Sequence, residues 1–227
     1  MQRLILFDID GTLTRGGPAK VAFETAMLET YGTAGAVDSF DFSGKTDPQI
    51  ARELLTEAGL EEAVIAGGLE RLWDRYISEL EAHIGDQPMR LLPGVAHLIE
   101  ALEAEPDVAL GLVTGNIVRG ARMKLESVGL AGYFAVGGYG SDDEIREHLP
   151  GIALERAFEA WGVRFPAEST VIVGDTPRDV ECGKFEGTRT VAVATGRVSR
   201  ERLDTTGADA VFDDFSDVAS VLAALLP

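Results

Sequence analysis

LILFDIDGTLT, residues 4–14, contains the first apolar run of the chain and the polar turn that follows it. The run at residues 4–7 lacks polar alternation, which is typical of a strand buried on both faces of a parallel sheet. In extended backbone Asp8 and Asp10 face the same side, and Gly11 lets the chain turn sharply after them. Adjacent carboxylates repel each other unless a cation neutralises them or one is protonated. The stretch therefore predicts a hard-cation site with oxygen ligands, suited to Mg²⁺, at the end of a buried strand.

Strand-length runs and helical patterns alternate along the rest of the chain. Further strands are predicted at Val108–Val113, Thr170–Val173, Val191–Ala194 and Ala210–Phe212. Helices are predicted at Val95–Leu102, Ile117–Val128, Ile152–Trp161 and Ser216–Leu226. This alternation favours an α/β fold with a doubly wound, Rossmann-like parallel sheet.

Residues 16–90 interrupt the alternation and predict a separate unit. The segment offers helical patterns at Pro18–Tyr31, Pro48–Ala58 and Glu62–Ala82. We expect a small, mostly helical domain inserted after the first strand, and a core made of residues 1–15 and 91–227.

Two later junctions place polar residues directly after a predicted strand. In LVTGN, residues 112–116, Thr114 offers a hydroxyl, Gly115 permits close backbone approach, and Asn116 is predicted to cap a helix that begins at Ile117. Such a helix start is a natural phosphate-binding site, although many such junctions only turn the chain. In VIVGDTPRD, residues 171–179, Asp175 and Asp179 lie four apart at a predicted helix start. A capped helix explains one of these acids, and a ligand site at the carboxyl ends of the strands explains both.

The composition limits the partners and the compartment. The 227 residues carry a formal net charge of −18, which argues against nucleic acid and anionic membranes as partners. Cys182 is the single cysteine and cannot form an internal disulfide, which favours a reducing compartment. The first apolar run is too short for a signal-peptide core, so a cytoplasmic protein is expected. The composition leaves open whether the protein is a monomer or a homodimer.

Three motifs together resemble the haloacid dehalogenase superfamily. DIDGTLT (residues 8–14), VTGN (113–116) and GDTPRD (174–179) are similar to its first, second and fourth motifs, in the same order and with similar spacing. The helical insert resembles the mobile cap of the phosphoglycolate phosphatase-like branch. Within it, SGKTD at residues 43–47 resembles the cap loop of that branch, which makes Lys45 a candidate substrate contact.

The resemblance implies a Mg²⁺-dependent phosphatase that acts on a small phosphorylated metabolite such as phosphoglycolate. Asp8 would be the nucleophile that forms an aspartyl-phosphate, and Asp10 the general acid and base. Mg²⁺ would bridge Asp8, the main-chain carbonyl of Asp10, and Asp175, whereas Asp179 would support the metal or a basic residue. Thr114, followed by Gly115 and Asn116 in the phosphate-binding junction, would hydrogen-bond the transferred phosphoryl group.

Two other functions fit the same residue types. A phosphosugar mutase would pass the phosphoryl group from Asp8 to a second hydroxyl of the substrate. A phospho-accepting signalling domain of the receiver type also pairs acids, Mg²⁺, a threonine and a basic residue. Such domains are shorter and carry the acceptor on a later strand.

The third motif departs from the family pattern. Relatives usually carry a lysine there, but no lysine lies between Asp142 and Pro166. Arg146 is the predicted replacement, since some relatives carry arginine at this place and its fork can grip phosphate. His148 is the competing residue, and Lys124, on the helix after Thr114, is expected at the surface.

Overall fold

The computed structural model describes residues 2–226 and contains eight strands and nine α-helices within that range. The strands are Arg3–Phe7 (β1), Thr14–Gly16 (β2), Met89–Leu91 (β3), Val108–Thr114 (β4), Val136–Tyr139 (β5), Thr170–Gly174 (β6), Arg189–Val193 (β7) and Ala210–Phe212 (β8). The helices are Ala19–Tyr31 (α1), Asp47–Glu57 (α2), Glu62–His83 (α3), Val95–Glu103 (α4), Val118–Ser127 (α5), Leu149–Trp161 (α6), Pro177–Glu186 (α7), Arg200–Asp204 (α8) and Val218–Leu225 (α9). Within residues 2–226, none of these helices is long and apolar enough to cross a lipid bilayer.

Six of the strands form one parallel sheet in the order β5-β4-β1-β6-β7-β8. Alternate residues of β1 point to opposite faces of the sheet. Ile5 and Phe7 join an apolar cluster with α4, α5 and α9, whereas Leu4 and Leu6 join a cluster with α6 and α7. Because both faces are covered, the run at residues 4–7 is fully buried. The predicted doubly wound α/β core is confirmed.

The strand register brings three polar turns to one edge of the sheet. Phe7 pairs with Leu112 of β4 on one side and with Val173 of β6 on the other. The residues just beyond these pairs therefore lie at the same level. The order in which strands are added to the sheet also reverses at β1, since β4 and β5 lie on one side of β1 and β6 to β8 on the other. Open α/β sheets bind their ligands at such a switch point.

Residues 16–90 contribute α1, α2 and α3, which pack around an apolar cluster of their own. Phe23, Leu54, Leu72 and Tyr76 are buried in this cluster, and Ile117 from the loop before α5 joins it. The antiparallel pair of β2 with β3 lies at the two ends of the segment. The helical character predicted for this segment is confirmed.

The five predicted strands are present with small shifts at their ends, whereas β5 and the three-residue strands β2 and β3 are not among the predictions. β5 is the one of these three that belongs to the six-stranded sheet. It is four residues long and includes Gly137 and Gly138, so it carries little apolar signal. The helix predicted from Ile117 begins instead at Val118.

Candidate active site

The polar turns meet at a cavity of about 530 Å³ above the carboxyl ends of the central strands. Asp8 follows β1, Thr114 ends β4, and Asp175 follows β6. Gly11 has a φ of 91°, in the left-handed region that favours glycine, and a Cβ there would overlap the carboxylate of Asp175. A residue with a side chain at position 11 would therefore disturb the turn and its neighbouring acid together.

Three buried carboxylates form the part of the site next to β6. Asp8, Asp175 and Asp179 each place an oxygen within 4.8 Å of the others. Arg146 reaches them from a short 3₁₀ turn at residues 146–148. Its Nη2 lies 3.1 Å from Asp8 Oδ1 and 2.5 Å from Asp179 Oδ1. We call this set, Asp8, Asp175, Asp179 and Arg146, the acid cluster.

Negative charge in the acid cluster is only partly neutralised. Burial raises the pKa of Asp8 to about 6, with smaller contributions from Asp179 and Asp10, while Arg146 opposes the rise. Burial, followed by the charges of Asp179 and Asp8, raises the pKa of Asp175 well above its usual value. One guanidinium among three carboxylates leaves a site that favours an additional cation.

The donor set suits a divalent cation with a preference for oxygen. Asp179 has both oxygens engaged: Oδ1 accepts from Arg146, and Oδ2 accepts from the backbone N–H and the hydroxyl of Thr176, at 2.9 and 2.7 Å. This capping box starts α7, and Pro177 occupies the first helical turn as predicted. Asp8 and Asp175 are the carboxylates with free capacity for a metal ion. Asp179 forms an ion pair with Arg146, and its predicted role in supporting the metal or a basic residue stays a prediction.

A second set of polar residues lies on the β4 side of Asp8. Asp10 Oδ2 accepts from Lys124 Nζ at 2.5 Å and from Asn116 Nδ2 at 2.8 Å. Asn116 Nδ2 also donates to Thr114 Oγ1 at 2.8 Å, and Asn116 Oδ1 accepts from Lys124 Nζ at 2.6 Å. We call Asp10, Thr114, Asn116 and Lys124 the lysine network.

The lysine network corrects two predictions. Lys124 is 3% exposed and does not lie at the surface. It shares the buried face of α5 with Gly120, Ala121 and Leu125, so the helical period placed it inward, and its apolar stem fits that face. Asn116 does not cap α5, because Ile117 holds that position and the Asn116 side chain turns into the site.

Charge holds Lys124 in its protonated form. Burial by itself would lower the pKa of Lys124, but Asp10, Tyr76 and Asp47 raise it above its usual value. The carboxylate of Asp10 is thus paired with a cation inside the network and lies outside the acid cluster. Its predicted contribution to metal binding, through the main-chain carbonyl, stays a prediction.

Arg146 and His148 occupy different environments. Arg146 is buried, and its Nε has no hydrogen-bond partner among residues 2–226, which leaves an N–H to offer an anion. His148 is half-exposed and pairs with Asp143 outside the cavity. Between these two residues, Arg146 is the one that the structure brings to Asp8.

The cavity also contains residues that sequence reasoning did not select. Asp47 starts α2, its N–H donates to Gly115 O at 2.7 Å, and its Oδ2 accepts from Ile117 N–H at 2.8 Å. Thr195, Gly196 and Arg197 follow β7 and line the same cavity. The predicted end of that strand at residue 194 was a signal that could have located them.

Lys45 lines the cavity, and its contact with a substrate stays a prediction. Its ammonium pairs with Glu53 and lies 4.2 Å from the centre of the Phe40 ring. Gly115 and Asn116 also line the cavity, whereas Thr114 is fully buried beneath them.

Comparison with known proteins identifies the family. A family model described as haloacid dehalogenase-like hydrolase matches residues 5–193. The chain belongs to this family. Among curated relatives, a phosphoglycolate phosphatase of Rhodospirillum rubrum is 31% identical over 98% of this chain and 91% of its own length. An N-acetylmuramic acid 6-phosphate phosphatase of Pseudomonas putida is 29% identical over 99% of this chain and 97% of its own length.

Solved structures share the fold of this haloacid dehalogenase-like hydrolase. A hydrolase from Pseudomonas syringae superposes with a TM-score of 0.75 at 21% identity, over 100% of both chains. The family and its phosphatase relatives confirm the prediction that the chain is an enzyme of the phosphoric monoester hydrolase class.

Proposed function

We propose that this hydrolase is a Mg²⁺-dependent phosphatase that cleaves a small phosphomonoester through an aspartyl-phosphate on Asp8. The observation that carries the proposal is the acid cluster, in which a buried carboxylate lies 3.1 Å from a fixed guanidinium at the floor of a cavity. A dianionic phosphoryl group can approach a carboxylate only where positive charge offsets their repulsion.

The proposed roles follow from the contacts of each side chain. Asp8 attacks phosphorus, and Arg146 binds the phosphoryl oxygens with N–H groups that Asp8 and Asp179 hold in place. The Thr114 hydroxyl accepts from Asn116, so its own O–H is free to donate to the phosphoryl group. Asp10 protonates the leaving oxygen and then takes a proton from the water that hydrolyses the intermediate.

Asp8 and Asp175 would hold Mg²⁺, with the main-chain carbonyl of Asp10 as the further ligand that the family resemblance implies. When bound, the ion neutralises phosphoryl charge and polarises the bond that breaks. Gly11 and Gly196 support this assignment, because a Cβ at either position would overlap the Asp175 carboxylate. The two backbones therefore lie close to that carboxylate and limit where it can move.

Residues 16–90 are proposed to act as a cap that closes the cavity and selects the leaving group. The segment contributes apolar side chains from Phe23, Phe42 and Ile50 and the cation of Lys45 to the cavity wall. A wall with both apolar side chains and a cation favours a small metabolite that has both apolar and polar groups. Phosphoglycolate is the leading candidate because the R. rubrum relative carries that name, and the P. putida relative adds a sugar phosphate as the second choice.

The predicted compartment is part of the proposal. The single cysteine, Cys182, is buried, and burial raises the pKa of its thiol to about 12, so it remains an inert thiol. A free thiol and no internal disulfide support a cytoplasmic protein.

A phosphate-release screen tests the function. The purified protein is incubated with a panel of phosphomonoesters that includes phosphoglycolate and N-acetylmuramic acid 6-phosphate, in EDTA and again after Mg²⁺ is restored. We expect phosphate release that disappears in EDTA and returns with Mg²⁺. Full activity in EDTA would reject the metal assignment, and an isomerised sugar phosphate without phosphate release would identify a mutase.

A further inference from the structure

Lys124 occupies an unusual position for a lysine. Its side chain is 4% exposed on the inner face of α5, where the neighbouring buried residues are Gly120, Ala121 and Leu125. A buried ammonium is costly unless it is paired and hydrogen-bonded. A leucine or methionine would fill the same volume at lower cost, so packing alone does not account for the charge.

The contacts of Lys124 are directed at two polar side chains of the site, Asp10 and Asn116. Nζ donates to Asp10 Oδ2 at 2.5 Å and to Asn116 Oδ1 at 2.6 Å. The bond to Asn116 also fixes the orientation of that amide, since its oxygen must face the ammonium. The amide nitrogen is then the group that reaches Asp10 Oδ2 and Thr114 Oγ1. One cation therefore orders three side chains of the site.

These bonds constrain the Asp10 carboxylate in a specific way. Both donors, Lys124 and Asn116, take the same oxygen, Oδ2. The Asp10 side chain is 45% exposed and lines the cavity, so Oδ1 is the oxygen left for a substrate. Without the ammonium, the Asp10 carboxylate would keep a hydrogen bond from the neutral Asn116 amide but lose its ion pair, and a cation in the acid cluster would attract it.

We propose that Lys124 is a positioning residue that anchors Asp10 Oδ2, so that Oδ1 faces the oxygen of the departing group. The proposal rests on the assignment of Asp10 as general acid and base in the proposed function. It adds that the orientation of the Asp10 carboxylate depends on Lys124, which lies 114 positions further along the chain, on α5. Lys124 also lines the cavity, and in this arrangement its ammonium donates to Asp10 and Asn116 and not to the substrate.

The test compares leaving groups that differ in their need for a proton. Phenyl phosphate releases a basic phenolate, whereas 2,4-dinitrophenyl phosphate releases an ion that leaves without protonation. We expect Lys124→Met to lower kcat/KM for phenyl phosphate by about 10²–10³-fold and for the dinitrophenyl ester by less than about tenfold. Lys124→Arg returns a cation and should recover part of the loss on phenyl phosphate.

A double variant separates positioning from other roles. If Lys124 acts through Asp10, Asp10→Asn/Lys124→Met should fall no further than Asp10→Asn on phenyl phosphate. Lys184→Met is the matched control, because Lys184 is an exposed lysine of α7 that donates to the Thr206 carbonyl. Its kinetics should equal those of the wild type on both esters.

Specific outcomes would overturn the inference. Equal losses on the two esters in a variant with an unchanged melting temperature would show that Lys124 acts on a step common to both esters and not on protonation of the leaving group. Additive losses in the double variant would show that Lys124 acts independently of Asp10. If Lys124→Met does not fold, the same comparison is made with Lys124→Gln, which keeps a donor without the charge. A wild-type protein inactive on both esters, or an Asp8→Asn variant with full activity, would instead reject the proposed function.

Discussion

The two sides of the candidate active site differ in their balance of charge. On the β6 side, the acid cluster sets three carboxylates against the single guanidinium of Arg146. On the β4 side, the lysine network sets the Asp10 carboxylate against the buried ammonium of Lys124, with Asn116 completing the hydrogen bonds. Both sides border Asp8 and the same cavity.

In the proposed function, this difference in charge separates two tasks around Asp8. Excess negative charge in the acid cluster favours a divalent cation and, with it, the phosphoryl group. Balanced charge in the lysine network gives no such preference and holds a carboxylate in one orientation, as proton transfer requires. One side therefore suits phosphoryl binding, and the other suits acid–base chemistry at the leaving group.

Exchanging each first-motif acid for its amide tests this division most severely. Asp8→Asn should abolish turnover and covalent phosphorylation, a loss of at least about 10⁴-fold, because an amide is a poor nucleophile. Asp10→Asn should slow turnover while a nucleophile remains, so that a dinitrophenyl ester can still phosphorylate Asp8. Mass spectrometry of the quenched enzyme measures the phosphoenzyme. Appreciable activity in Asp8→Asn would show that the two sides are wrongly assigned.

Removing Arg146 takes away the fixed cation of the acid cluster. Arg146→Ala should lower kcat/KM by about 10²–10⁴-fold, or roughly 3–5 kcal/mol of transition-state stabilisation. Arg146→Lys should recover part of this loss, since the charge returns without the fork. His148→Ala is the neighbouring control, and steady-state kinetics on the best substrate should show a far smaller change. A crippled His148→Ala beside an active Arg146→Ala would reverse the assignment.

Gly196 offers a way to disturb the acid cluster without changing its charge. A Cβ at this position would overlap Asp175 Oδ2, so Gly196→Ala should displace the carboxylate. We expect the Mg²⁺ concentration for half-maximal activity to rise by about tenfold or more, because a misplaced ligand binds the ion weakly. Gly132→Ala is the matched control, since no atom lies within 4 Å of a Cβ there. An unchanged Mg²⁺ requirement in Gly196→Ala would argue against Asp175 as a ligand.

The unbalanced charge also predicts how stability depends on pH in EDTA. The pKa of Asp8 is raised from 3.8 to about 6, so the folded state binds a proton more tightly than the unfolded state does. The free energy of unfolding should therefore fall as pH rises from about 4 to about 6. Asp8→Asn removes this group and should gain stability relative to the wild type over that range, by on the order of 1–3 kcal/mol. Denaturant titrations at both ends of the pH range measure this difference. Parallel pH profiles of stability for the wild type and Asp8→Asn would show that the pKa of Asp8 is not raised.

Predictions from the sequence are confirmed where a local pattern dictates the structure. Unbroken apolar runs such as residues 4–7 predicted buried parallel strands, and polar residues at their carboxyl ends predicted the positions of Asp8, Thr114 and Asp175. Such predictions hold because strand burial and the side-chain period of two act over a few residues. The four-residue strand β5, with its two glycines, lacked that signal.

Local pattern failed where a side chain crosses to a distant element. Lys124 is a helix residue on a strongly acidic chain, and nothing in its neighbours along the sequence reveals that Asp10 lies within 2.5 Å of its ammonium. Arg146 was predicted by position and chemistry, but its pairing with both Asp8 and Asp179 depends on how the 146–148 turn packs against α7. The motifs thus specified the strands, the order of the polar turns and the identity of the acids. The balance of charge around Asp8 was set by long-range packing, because Coulomb energy depends on distances that only the folded chain fixes.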